Sequence, residues 1–116
     1  MYQRHKDGAE AEKFAEKHLT KQGLKLIERN FRGKQGEIDL IMQDGETTVF
    51  VEVRYRSNKH SVSALESVNR GKQRRIRKTA EYYLQLHQIS FIANCRCDVV
   101  AIDGNAENIQ WIKNAF

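Results

Sequence analysis

Residues 36–56 constrain this chain more than any other stretch, because apolar and polar side chains alternate along two runs that meet at Asp44-Gly45. A period of two marks a half-buried strand, and Asp-Gly between two such runs predicts a hairpin. Residues paired across an antiparallel ladder share a face, so the register can be tested by counting. A two-residue loop sets Gln43 opposite Glu46 and Glu37 opposite Glu52; a four-residue loop sets Gln43 opposite Thr48 and Asp39 opposite Glu52. Either register collects Glu37, Asp39, Glu52 and Arg54 on one face, and only a bulge or a one-residue slip would part them. Carboxylates held together beside apolar neighbours repel unless a cation or a shared proton intervenes.

The rest of the chain gives this hairpin its setting. Residues 1–7 are polar and read as a loose terminus. Residues 8–22 carry Ala11, Phe14, Ala15, His18 and Leu19 at helical spacing, with Gly23 as the C-terminal cap and Glu12 at the edge of the apolar stripe. A first strand spans residues 24–31. After the hairpin, residues 57–63 form a polar loop suited to substrate, and residues 64–68 a short helical turn. Asn69 caps a second helix that runs to about residue 87, its apolar stripe made by Ile76, Ala80, Tyr83 and Leu84. Strands follow at 96–102 and 109–112, parted by an Asp103-Gly104-Asn105 turn. The order is α-β-β-β-α-β-β, and the long helix after the third strand permits a crossover and parallel pairing of the third and fourth strands. These features predict one α/β domain over residues 1–116, a mixed five-stranded sheet flanked by helices.

Charge and cysteine usage narrow the setting. The formal net charge is +5, which favours a polyanionic partner such as nucleic acid. Cys95 and Cys97 flank one residue, a spacing at which a disulfide is strained, so both are expected as free thiols. No apolar run is long enough for a membrane span or a signal peptide, and the chain is expected to be soluble and cytoplasmic.

The second helix opens on Arg70, Lys72, Arg74, Arg75, Arg77 and Lys78, with no carboxylate between Glu66 and Glu81. A run of cations this dense is either a solvated face or a phosphate-binding one. Gln73 falls on the Ile76-Ala80 side, near the core, where its amide needs a partner.

The four histidines, His5, His18, His60 and His87, are scattered, which excludes a zinc site of ordinary spacing, and no glycine-rich phosphate loop is present. Carboxylates without histidine suit a hard cation such as Mg²⁺. Asp39 and Glu52 are the candidate ligands; salt bridges from Arg54, Arg56 or Lys34 are the structural alternative.

Ile38-Asp39 followed after twelve residues by Glu52-Val53-Arg54 resembles the motif of the PD-(D/E)xK nuclease superfamily. Together with the Glu12 helix, Gly-Glu-Ile-Asp-Leu-Ile, Phe-Val-Glu-Val-Arg-Tyr-Arg, Lys72-Gln73 and Arg96-Cys97-Asp98-Val99-Val100-Ala101-Ile102, it is similar to the bacterial YraN-like family, itself similar to archaeal Holliday-junction resolvases. The resemblance implies a restriction-endonuclease-like core and Asp39, Glu52 and the Val53 carbonyl as ligands of Mg²⁺ or Mn²⁺. It further implies Glu12 as an accessory acid, Gln73 and Lys72 beside the site, and a homodimer. Ile38 stands where the motif has proline. Arg54 stands where it has lysine, and a guanidinium stays protonated: it stabilises developing charge but is no general base. Water would then be activated by the metal, by Glu37 or by a substrate phosphate.

The leading expectation is an endonuclease on structured or branched DNA rather than RNA, with Arg70, Lys72, Arg74, Arg75 and Arg77 on phosphates. Its rivals are a non-catalytic nucleic-acid-binding module of the same fold, with Arg54 paired to an acid, and a protein-interaction domain whose basic helix meets an acidic partner.

Overall fold

The computed structural model describes residues 3–56, 66–90, 94–104 and 108–116. The expected polar loop at 57–63, residues 64 and 65 of the helical turn at 64–68 and Asn105 of the last turn lie outside the described residues. Two helices, α1 (Gln3–Lys21) and α2 (Arg70–Leu86), pack on opposite faces of a five-stranded sheet of β1 (Lys25–Arg32), β2 (Glu37–Asp44), β3 (Thr47–Arg56), β4 (Cys95–Asp103) and β5 (Ile109–Ile112). The strands lie side by side in chain order. β1, β2 and β3 are antiparallel, β3 and β4 are parallel across the α2 crossover that the element order permits, and β4 and β5 are antiparallel.

Helix α1 begins earlier than its apolar spacing predicts. Residues 3–7 include no strong breaker, and Gly8 inside a helix costs only about 1 kcal/mol. It ends as expected: Gly23 adopts φ 101°, its N–H donates to Thr20 O and that of Leu24 to Leu19 O. Ala11, Ala15 and Leu19 pack there on Leu40, Met42, Val49, Val51, Val100 and Ile102. The opposite face joins Ile76, Ala80, Tyr83 and Leu84 of α2 to Phe31, Ile38, Ile41, Phe50, Cys97 and Val99. Each fully buried Leu or Ile contributes about 1.5–3 kcal/mol, so both layers are needed to hold the sheet.

The hairpin takes the alignment that sets Gln43 opposite Thr48 but closes one pair further, at Asp44 opposite Thr47. The turn residues are therefore Gly45 and Glu46 rather than Asp44 and Gly45. Gly45, at φ 61°, occupies the first central position of a II′-type turn, which favours glycine. Asp44 is instead held by Arg96 at 2.9 Å.

Candidate functional site

The β2–β3 ladder stops at Leu40 opposite Val51. One further step would set Asp39 opposite Glu52, but there the Val53 N–H donates to the Asp39 carboxylate at 2.8 Å. The strand also rotates at this point. Ile38 and Ile41, three residues apart, pack in the same layer, whereas strict alternation would put them on opposite faces. Across β1, Asn30 adopts a left-handed conformation at φ 51°, which asparagine tolerates better than most residues. The expected grouping of Glu37 with Asp39 is corrected by this rotation. Glu37 faces Arg32 across the β1–β2 ladder at 3.9 Å, and the charges felt by Asp39 are those of Glu52 and Glu12.

Glu52 remains on the α2 face with 3 % of its surface exposed. Its Oε2 meets Arg54 at 3.3 Å and Lys72 at 3.7 Å. Its Oε1 is buried without a hydrogen-bond partner among the described residues. Arg54 is oriented by donating from Nε to Ser67 Oγ at 2.9 Å. Asn69 accepts from the Lys72 N–H at 2.8 Å, and this cap starts α2 where Lys72 can reach Glu52. Gln73 donates to Val68 O at 3.0 Å, so its amide ties the approach to α2 onto the helix. From the other helix, Glu12 accepts from Asn30 Nδ2 at 3.1 Å.

The electrostatics follow from this geometry. Burial, then the Glu52 charge, hold Asp39 well above the usual carboxylate range; the Val53 N–H pulls it down, and Glu12 pushes it further up. Burial raises Glu52 as well, against the lowering effects of Lys72 and Arg54. Metal-free, the two carboxyls lie within hydrogen-bonding reach of each other and are suited to sharing a proton, while among the described residues no other donor meets Glu52 Oε1. Among the described residues no three His, Cys, Asp or Glu side chains converge as a metal cage. Mg²⁺ does not require one, since it retains waters and takes ligand oxygens from substrate.

Asp39, Glu52, Val53, Arg54 and Lys72 thus gather where β2 and β3 part, with Glu12 joined electrostatically and Gln73 turned to Val68 O beside Lys72. The other cations of α2 fan outward. Arg70 and Arg74 are exposed without an ion-pair partner among the described residues; Arg75 packs by its Cβ near Gly36; Arg77 lies over the Phe116 ring at 5.8 Å. Two contributors were not legible beforehand. Ser67 lacks any distinctive sequence signal, and Asn30, whose type alone hints at a left-handed residue, sits inside an otherwise ordinary strand.

Fold and site together define an α/β protein in which a buried and a half-buried carboxylate meet a basic helix where adjacent strands part. The chain belongs to the family described as uncharacterised protein family UPF0102, the YraN-like family, whose model matches residues 11–102. It is 51% identical over 109 residues to a UPF0102 protein of Shewanella loihica, covering 94% of this chain and 92% of that one. A UPF0102 protein of Stutzerimonas stutzeri is 47% identical over 118 residues, covering 100% of this chain and 98% of the relative. One from Coxiella burnetii is 50% identical over 111 residues, covering 96% and 92%. These names state no activity.

Proposed function

We propose that this protein is a metal-dependent endonuclease of structured nucleic acid, DNA before RNA, which hydrolyses a phosphodiester at Asp39 and Glu52. The observation that carries the reading is a buried Glu52 Oε1 that no cation or neutral donor meets among the described residues, beside a second carboxyl whose ionisation is opposed by burial and by Glu52 itself. A cation relieves both conditions at once. The resemblance of Ile38-Asp39 and Glu52-Val53-Arg54 to the PD-(D/E)xK pattern supports the same assignment.

Asp39, Glu52 and the Val53 carbonyl would hold Mg²⁺ or Mn²⁺. When bound, the metal orients water and stabilises charge developing on the phosphodiester. Arg54, fixed by Ser67 and Glu52, presents a permanent cation to the phosphate and abstracts no proton. Glu12, steadied by Asn30, acts from α1 through water, and Gln73 holds the start of α2 so that Lys72 stays beside Glu52. Arg70 and Arg74, exposed on α2, bind flanking phosphates. Glu37, facing Arg32, does not supply the base, which leaves the metal or a substrate phosphate to activate water. Two copies of the chain would cut opposed strands symmetrically. Two free thiols suit a cytoplasmic setting.

A second reading, a non-catalytic nucleic-acid-binding module, is favoured by the Arg54 and Lys72 contacts to Glu52, which neutralise part of the site without metal. Cleavage of branched, flapped and single-stranded DNA and RNA with Mn²⁺ separates the two. Glu52→Ala is expected to lower the rate by more than about 100-fold, beyond the 10–100-fold typical of groups that only support a metal ligand. Equal rates in wild type and variant would sink the nuclease reading. So would calorimetry in which Mg²⁺ and Mn²⁺ show no binding dependent on Asp39.

A further inference from the structure

On the β1 side of α2, away from the carboxylates, the loop joining β1 to β2 folds against the helix and leaves a cleft of about 540 Å³ lined by Arg32, Gly33, Lys34, Lys78, Thr79 and Tyr82. The loop is pinned by the Gly33 N–H donating to Gly36 O at 2.8 Å. It approaches so closely that a Cβ on Gly33 would stand 3.3 Å from the Tyr82 ring and 3.4 Å from Thr79 Cγ2. The walls are therefore built by packing, with two glycines allowing the approach.

The lining combines charge with an aromatic surface. Lys34 and Lys78 have no ion-pair partner among the described residues, and Arg32 has only Glu37, at 3.9 Å. Tyr82 is 46% exposed; its ring is backed by Phe31, with centroids 5.8 Å apart and planes tilted by 31°. An exposed aromatic ring, supported from behind and bordered by uncompensated cations, has the chemistry of a nucleotide seat, because bases stack on the ring while phosphates meet the cations. Lys72, at Glu52, lies on the same helix. At 1.5 Å per residue Lys78 is about 9 Å and Tyr82 about 15 Å further along the axis, a reach that a few nucleotides of one strand cover.

We propose that this cleft binds an unpaired nucleotide a few positions from the phosphate held at Glu52, its base on Tyr82 and its phosphates on Lys34, Lys78 and Arg32. The substrate class is then nucleic acid with a single-stranded segment beside the cut, such as a flap, gap or open junction. This rests on the nucleic-acid reading above and adds a requirement that a purely duplex substrate does not meet.

Fluorescence anisotropy with a labelled oligothymidylate and a labelled blunt duplex tests it on the full chain. Tyr82→Leu is expected to weaken oligothymidylate binding at least about fivefold while changing duplex binding by less than about twofold, and Tyr82→Phe to retain wild-type affinity, since base stacking needs only the ring. Joint replacement of Lys34 and Lys78 by Gln should reduce the salt slope of oligothymidylate binding by about 1.4, roughly 0.7 per lost phosphate contact. Lack of oligothymidylate binding by the wild type, equal losses on both probes with Tyr82→Leu, no loss at all, or a Tyr82→Phe loss as large as that of Tyr82→Leu would overturn the proposal. An unchanged salt slope would do the same. Melting curves of each variant exclude misfolding as the cause of a loss. The nuclease reading fails separately: Glu52→Ala cleaving like wild type sinks that reading while a Tyr82-dependent preference stands. Glu52-dependent cleavage with an indifferent Tyr82 does the reverse.

Discussion

Asp98 and the Asp39–Glu52 pair bring carboxylates into one sheet and resolve their charge in opposite ways. Asp98 is fully buried on β4 and accepts from Arg96 Nε at 3.0 and 3.1 Å, from Trp111 Nε1 at 2.9 Å and from the Asn114 N–H at 2.8 Å. Arg96 continues to Asp44 at 2.9 Å, so one carboxylate joins β4, β5, the C-terminal segment and the β2–β3 hairpin. Asp39 has a backbone N–H as its donor, while Glu52 turns one oxygen to two cations and finds no hydrogen bond for the other among the described residues. A buried charge satisfied within its own chain is a fastener. One left short of donors where strands part is held protonated by its burial or met by a cation.

Deleting each carboxylate should therefore move stability in opposite directions. The larger effect belongs to Asp98→Ala, which strips Arg96 and Trp111 of their shared acceptor. The expected loss is about 3–5 kcal/mol, the cost of breaking a buried pair from one side, and a large part of the roughly 5–15 kcal/mol that holds a domain of this kind. Denaturant melts measure it, and a loss below about 1 kcal/mol would mean that Asp98 is not the fastener described.

The opposite sign is expected for Asp39→Asn without divalent cations. The amide oxygen can still accept from the Val53 N–H, while the charge opposed by Glu52 and Glu12 is gone. A gain on the order of 1 kcal/mol, or about 4 °C in melting temperature, is the expected result. Mg²⁺ should stabilise wild type and leave Asp39→Asn unmoved. If Asp39→Asn destabilises as Asp98→Ala does, the two regions are alike and the comparison collapses.

How much of this was legible in the sequence follows the range of the interactions. Alternation in residues 36–56 and the stripes of the two helices are local, and they were enough for element order, sheet pairing and the candidates Asp39 and Glu52. Glu37 was misplaced because alternation assumes an unbroken pleat. The turn of β2 between Ile38 and Ile41 depends on a left-handed Asn30 across the ladder and on a backbone donor at Val53. The Asp98 network and the Tyr82 cleft were invisible for a related reason. Trp111, Asn114 and the Gly33–Gly36 loop reach their partners only through tertiary packing.

A smaller effect is expected at Lys72, which separates the two cations on Glu52. Lys72 is about a third exposed and 3.7 Å from Oε2, whereas Arg54 is nearer and braced by Ser67. Lys72→Gln should cost less than about 1 kcal/mol by melting, as for a partly solvated pair. A loss as large as that of Asp98→Ala would make Lys72 part of a fastener and bring the site closer to the Asp98 network.

The pH dependence of stability sharpens the contrast as a slope. Asp39 and Glu52 are both raised by burial, so the folded chain holds their protons more tightly than the unfolded chain does. Their favourable contribution is fully present below the unfolded carboxylate values, about 4, and is lost as pH rises through the raised folded values. In metal-free buffer the stability gained by Asp39→Asn over wild type should therefore grow from about pH 4 upward and level off once wild-type Asp39 has ionised. If the proposed site takes Mg²⁺, the ion should stabilise wild type increasingly over the same interval, since a cation held by ionised carboxylates competes with their protons. Melting curves of both proteins across that range, with and without Mg²⁺, read the effect directly. A difference between wild type and Asp39→Asn that shrinks with rising pH would show that ionised Asp39 is welcome in the fold without a cation, and the site would then be a second fastener.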